Sequence, residues 1–297
     1  MKALEFRAAA PIDAQIFQRG LLRQLGGTWI GKGFNLISKP AKELNLPFVL
    51  QVNATMETIT FTPIQAPIPN RGSVQDDITI FGHTYQQRVS DAATFGLLHI
   101  EEGMWISVPP TTDPSQPATV ARLATIPHGD SVLAQGSGIR VENTPPKFEV
   151  ADPTPFPGPQ QPPPGYFPPP PNLPSTNPPQ PFPPGFDLRN INQALADAIQ
   201  GQTILEMVVL EVSTSKNPPN PELPGPFGGG IVNIPFVDKN ADAVQLDATF
   251  WIETIAPPAG SPPGTQPTLQ LQYTQRVVLN FIGINWPHIS VGTLVKQ

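Results

Sequence analysis

The chain of 297 residues contains no cysteine. Disulfides, thiolate zinc sites, iron–sulfur clusters and thiolate-ligated haem are therefore excluded. Basic residues are scattered singly in a chain of net charge -6, and no basic stripe exists for nucleic acid to follow. No apolar stretch approaches the ~20 residues of a membrane span. The first twenty residues carry charges where a signal peptide needs an unbroken apolar run. A soluble, cytoplasmic protein without nucleic-acid or membrane partners is expected. Also absent are a G-x-S-x-G elbow, a phosphate-binding glycine loop and any run of His with Asp or Glu at metal spacing.

Proline is in excess: 42 in the chain, of which 19 fall between residues 144 and 186. Proline cannot donate to a strand ladder, so no sheet continues through 144–186. That segment reads as an extended or disordered insertion within a single domain spanning 1–297. Phe156, Tyr166, Phe167, Phe182 and Phe186 punctuate it and could tack it onto the protein surface. Pro163-Pro164-Gly165-Tyr166 also fits a short proline-rich docking pattern. Two further proline and glycine loops run over 216–230 and 257–267.

The rest reads mainly as strands. Residues 269–281 put Leu269, Leu271, Tyr273, Val277, Leu279 and Phe281 on one face, with Gln270, Gln272, Thr274, Arg276 and Asn280 opposite. A period of two marks a strand with one buried face. After a turn at 283–285 a second strand spans 289–295. Upstream, strands are expected over 26–37, 48–53, 57–62, 78–89, 120–125, 131–135, 203–214 and 244–255, with one bent or two short strands in 96–109. A weak helical pattern (Ile16, Phe17, Leu21, Leu22, with Asp13 as cap) precedes them and would cover one barrel end. The clearest helix is 187–201, with Leu188, Ile191, Leu195 and Ile199 on one face and Gly201 as its stop. About ten sequential strands without a βαβ rhythm predict a mainly β fold, an antiparallel up-and-down barrel of lipocalin or fatty-acid-binding-protein type. Such a barrel can hold one small ligand.

Several residues stand out as candidates. His288 shares a strand face with Ser290, Gly292 and Leu294, so its own strand leaves space before the imidazole. It suits a planar metal cofactor, or it is a histidine satisfied by hydrogen bonds at a strand end. Trp286 would pack on such a cofactor or serve as a core aromatic. In the first strand Trp29, Gly31 and Gly33 share a face, either a wall cleared for a ligand or a bent strand with Trp29 plugging the barrel bottom. His99 is a pocket donor, a second ligand, or a buried histidine paired with Glu101 on its own strand face. His83 and His128 read as structural or exposed. Glu101 and Glu102 are adjacent, so they point oppositely and form no acid–base pair.

Gly27-Thr28-Trp29-Ile30-Gly31-Lys32-Gly33 resembles the G-x-W-x-G-x-G signature of the nitrobindin family. Leu98-His99-Ile100-Glu101-Glu102-Gly103, Ile126-Pro127-His128-Gly129 and Trp286-Pro287-His288-Ile289 resemble further family segments in the same order. The resemblance covers the barrel strands; the proline-rich insertions and the 187–201 helix are additional. Phe34-Asn35 stands where the family often has a glycine and an aromatic. The resemblance implies a ten-stranded barrel with haem b at its mouth and His288 as the axial iron ligand. It further implies nitric oxide binding and, in some members, peroxynitrite isomerisation. With no second histidine in its hairpin, a five-coordinate iron with an apolar distal side is the expected picture. The competing readings are an iron-free carrier or sensor of an apolar small molecule, and a haem peroxidase or isomerase. A homodimer stays open as the assembly.

Overall fold

The alternating stretches become strands, and nearly every one pairs with its neighbour in sequence. The computed structural model describes residues 20–41, 45–157, 166–167 and 186–297. Its strands are β1 (Gly27–Ala41), β2 (Leu46–Pro63), β3 (Ile68–Asn70), β4 (Ile78–Asp91), β5 (Leu97–Val108), β6 (Thr111–Thr112), β7 (Ser115–Gln116), β8 (Thr119–Ile126), β9 (Asp130–Glu142), β10 (Ile204–Ser213), β11 (Gly228–Asn233), β12 (Asp242–Ile255), β13 (Thr268–Phe281) and β14 (Ile284–Lys296). Two short helices, α1 (Gln193–Ala198) and α2 (Pro235–Asn240), complete the described elements together with a 3-10 turn at Gly20–Gln24.

The chain forms a closed ten-stranded antiparallel barrel in the order β1-β2-β4-β5-β8-β9-β10-β12-β13-β14. Closure comes from β9, which pairs with both β8 and β10, and from β14, which pairs with both β13 and β1. β11 takes over from β10 along β9, covering residues 130–135. Closure pairs each of the ten barrel strands on both sides, leaving only β3 and β11 of this sheet, among the described residues, with a single partner.

The two ends differ. At the near end the 3-10 turn brings Leu22 and Leu25 against Trp29, all fully buried. The Trp29 indole donates to the Leu25 carbonyl at 2.7 Å, and the Lys296 ammonium lies 5.4 Å from its ring centre. The far end gathers the β4–β5, β8–β9 and β13–β14 turns, with Phe95, Leu97 and Ile282 exposed there. Between the ends aromatic side chains pack across the interior. Trp105 meets Phe250 edge-on at 5.1 Å, and Phe250 stacks on Tyr273 at 5.3 Å. The Tyr273 ring occupies the space before Gly292: a Cβ there would lie 2.5 Å from Tyr273 Cε1.

A second core lies outside the barrel. Phe186, Leu188, Ile191 and Leu195 pack on the outer faces of Leu36, Ile289, Val291 and Trp251. Gln270 and Gln272, expected to face solvent, are consequently buried, and the Gln272 amide donates to the Leu195 carbonyl at 2.9 Å. The described parts of the proline-rich insertion include residues that lie on the barrel. Phe156 forms a backbone bridge to Asn285, while Tyr166 is buried against Phe48 and Trp286. The Tyr166 hydroxyl is engaged by Ser38 (2.9 Å) and the Pro153 carbonyl (2.8 Å), so it is not presented for proline-motif docking. Tyr166 and Phe186 thus tack the insertion down; Phe182 lies outside the described residues.

Several boundaries shift from the sequence reading. Residues 46–63 are one strand rather than two, because Asn53 to Met56 pair continuously with Lys32 to Asn35 of β1. Residues 97–108 are likewise one strand. β14 begins at Ile284, so Trp286 and Pro287 lie within it. The helix expected over 187–201 is regular only over 193–198, flanked by turns; Ile199 caps it, and Gly201, the expected stop, adopts φ 76° in the turn beyond. α2 and β11 escaped the sequence reading because six residues give too few periods to count. The helical pattern built on Asp13, Ile16 and Phe17 lies outside the described residues; Leu21 and Leu22 fall in the 3-10 turn.

Candidate functional site

Three of the four histidines converge at the far end from separate parts of the chain. His288 sits near the start of β14, paired with Ile37 of β1 and Val277 of β13. Strand alternation puts it on the face of Gly292 and Leu294, which is the interior face. His99 opens β5, just after a turn shaped by Asp91, whose carboxylate accepts from the Ala93 and Thr94 amides at 2.9 and 2.7 Å. His128 stands in the β8–β9 turn, where Gly129 adopts φ 109° and its carbonyl accepts from the Ile234 amide at the start of α2. The His99 and His128 rings are 5.6 Å apart. His128 is also close enough to His288 to disfavour a charge on it.

The three are not equivalent. His99 Nε2 lies 3.5 Å from the carboxylate of Glu101, which is 1 % exposed. Burial holds the His288 imidazole down at about 4, against a weaker upward pull from its hydrogen bond to the Ser38 backbone. It is therefore neutral at physiological pH. A neutral imidazole anchored to the backbone is the form that ligates a metal. His128 is exposed.

Beneath the histidines, the interior carries charged and phenolic groups. Burial would raise Glu101, but the Arg122 guanidinium and hydrogen bonds from His99 and Tyr85 hold it at about 2. Arg122 Nη2 donates to Glu101 at 2.5 Å, Nη1 to Gln275 at 2.5 Å and Nε to the Tyr85 hydroxyl at 2.9 Å. The Tyr85 hydroxyl also donates to Glu101. A second group joins Glu57 to Tyr273 (2.5 Å), Thr55 (2.7 Å) and Gln87 (3.3 Å). Burial raises the Glu57 carboxyl above its ordinary value despite these donors. Sequence reading passed over Glu57, Tyr85, Gln87, Arg122 and Tyr273 as a group. The signal was there: Glu57 and Arg122 are charged residues on the buried parity of their strands.

Other candidates sit elsewhere. Trp29 pairs with Lys296 and Ile37 with His288, so Trp29 and His288 are eight strand positions apart, about 26 Å. Trp29 is the near-end plug. Gly27 lies beside it, against the Lys296 side chain. A Cβ on Gly31 would strike the Thr293 carbonyl at 2.0 Å, and one on Gly33 would meet Glu57 Oε1 at 2.7 Å. The glycines therefore permit close packing rather than clear a ligand wall. Trp286 is fully buried, stacked on Phe281 at 5.2 Å and donating to its carbonyl at 3.2 Å. It serves as a core aromatic under the insertion. His83 is fully buried beside Gly26 at the near end. Glu102 is solvent-facing and bonds Gln86, opposite in direction to Glu101.

No protein-family model matches the sequence. No curated protein matches it either. Among solved structures the chain is similar to the crystal structure of Rv2717c from M. tuberculosis, at 15% identity over 98% of this chain and 99% of that one, with a TM-score of 0.45.

The arrangement at the far end can do specific chemistry. It offers a neutral, backbone-anchored imidazole, a second imidazole held by a buried carboxylate, and a third between them and solvent. Among the described residues no group of three His, Asp or Glu is placed to hold a bare metal ion. Porphyrin iron needs one protein ligand, since the macrocycle supplies the other four. His288 fits that requirement. No helix of the described residues is long and apolar enough to cross a membrane.

Proposed function

We propose that the far end of the barrel binds haem b through His288 and that the bound iron meets small reactive nitrogen or oxygen species. The observation that supports this most directly is the convergence of His288, His128 and His99 at one end, with His288 held neutral. Haem, when bound, supplies an iron with a coordination position for a diatomic ligand. His288 would hold the iron, with its Ser38 hydrogen bond fixing the ring orientation. His99, beside the Glu101 carboxylate, and His128 would offer N–H donors at the same end of the barrel. Exposed Phe95, Leu97 and Ile282 supply apolar surface of the kind a macrocycle edge covers. Tyr273, Tyr85 and Phe250 belong to the buried core of the barrel. Turnover of peroxynitrite, or a peroxidase-like reaction, is the activity such a site would support.

An iron-free carrier of an apolar molecule is the second reading, favoured by the same exposed apolar rim. What ranks the haem reading first is the neutral, backbone-anchored His288 imidazole, for which an apolar carrier has no use.

The test is haem titration of the purified protein. A Soret band is expected in the wild type and absent in His288→Ala, whose fold is checked by circular dichroism. A wild type that takes up no haem, or a variant with the same Soret band, overturns the proposal.

A further inference from the structure

The described part of the proline-rich insertion meets the barrel at the strand that carries His288. The ladder between β1 and β14 ends at the Ile37–His288 pair. Pro287, the next residue toward the start of β14, has no N–H with which to extend it. Residues 284–287 keep β13 on one side, and on the other the insertion supplies a partner. The Phe156 N–H donates to the Asn285 carbonyl at 3.0 Å, and the Asn285 N–H donates to the Phe156 carbonyl at 2.7 Å.

Tyr166 reaches the same place through its side chain. Its one hydroxyl proton goes to the Pro153 carbonyl at 2.8 Å. The Ser38 hydroxyl, 2.9 Å from the phenol oxygen, is therefore the donor of that pair. Ser38 follows Ile37, the strand partner of His288, and its backbone bonds the His288 imidazole. The Tyr166 ring also meets Phe48 edge-on at 4.8 Å, and Phe48 meets Trp286, two residues before His288, at 6.3 Å. Tyr166, Ser38, Phe48 and Trp286 are all buried.

Two routes thus lead from one tyrosine to the imidazole. One runs through the residue that the imidazole bonds, the other through the strand that bears it. Anchoring alone does not need a hydroxyl. Phe148, in the same insertion, packs edge-on against Trp251 at 5.0 Å without one. A buried phenol requires hydrogen-bond partners, and here one of them is the residue that holds His288.

We propose that Tyr166 is a positioning residue for His288: it receives the Ser38 hydroxyl and backs the Phe48–Trp286 contact, and so fixes the group and the strand that set the tautomer and direction of the imidazole. A histidine whose second nitrogen is held in this way keeps one tautomer and one orientation. The inference rests on the haem reading for its bearing on chemistry, where the insertion sets how firmly the iron ligand is held.

NMR of the ¹⁵N-labelled imidazoles in the full, haem-free chain tests this. In the wild type His288 should show the two widely separated ring-nitrogen signals of a single neutral tautomer. In Tyr166→Phe, which keeps the ring, those signals should draw together as both tautomers become populated. Ser38→Ala should act alike, and the double variant should add nothing, since all three lack the same hydrogen bond. Phe148→Ala, which loosens the insertion from Trp251, should leave the His288 signals unchanged. Tyr166→Phe should also weaken haem affinity about tenfold. Unchanged imidazole signals in Tyr166→Phe, unchanged haem affinity there, or an equal effect of Phe148→Ala overturns the inference. The imidazole signals need no haem, so they decide the positioning role even where the haem reading fails.

Discussion

The Tyr273 hydroxyl donates a 2.5 Å hydrogen bond to the Glu57 carboxylate inside the barrel, joining positions 216 residues apart in sequence. The pair spans from β13 to β2 and closes the floor beneath the histidines. It can form because Gly292 on the intervening β14 has no side chain where the Tyr273 ring lies. Gly292→Ala should therefore push the ring aside and strain this bond. Overpacking of this kind costs about 1–3 kcal/mol, to be read as a fall in the urea midpoint without a change in slope.

The Glu101–Arg122 pair is buried at both ends, each side chain 1 % exposed. Removing one partner leaves the other charge stranded. Arg122→Met should cost about 3–5 kcal/mol, while Arg122→Met combined with Glu101→Gln should cost less than the single change. Denaturant titration of the variants compares them. Because Glu101 is held at about 2, its contribution is present above the ordinary carboxylate value of 4.5 and lost as pH falls through about 2.

His288 titrates in the opposite sense to a salt-bridged histidine. Its folded value of about 4 lies below the free value of 6.5. Between those values the unfolded chain binds the proton and the folded chain does not, so acidification from 6.5 to 4 destabilises the fold. The loss is up to about 3 kcal/mol, and His288→Gln should flatten that part of the stability curve. Thermal melts from pH 7 to pH 4 read it. Haem, once bound, should be retained down to a pH well below 6.5.

Glu253 is fully buried on the outer face, with Oε2 accepting from Gln270 at 2.7 Å and Oε1 without a partner among the described residues. Burial raises it to about 7 against that hydrogen bond. Between 4.5 and 7 the folded chain holds the proton that the unfolded chain has released, so stability falls as pH rises through this window. Glu253→Gln should stabilise the protein at pH 8 by up to about 3 kcal/mol and have little effect below pH 4.5. Melting temperatures at the two pH values check it.

Much of the far-end site was within reach of local pattern. His288 falls on the interior parity with Gly292 and Leu294, and His99 on that of Glu101, because strand side chains alternate strictly. His128 is locally an isolated turn residue, and its approach to His99 depends on the pairing of β5 with β8 and not on any local signal. Trp29 and the glycines were candidates for the same site as His288, but along β1 Trp29 lies eight positions and Gly33 four from Ile37, the strand partner of His288.

From the residues alone follow the strand faces, the sequential antiparallel order, the absence of thiolate chemistry and the extended course expected of the proline-rich segment. Those features depend on single side chains and their spacing. The stacking of Tyr273 on Phe250, the burial of Gln272 under Leu195, the meeting of three histidines at one end and the contact of Tyr166 with Ser38 were decided only in three dimensions. Each depends on the stagger accumulated over successive strand pairings and on where the insertion lands. Neither quantity is carried by any short stretch of the chain.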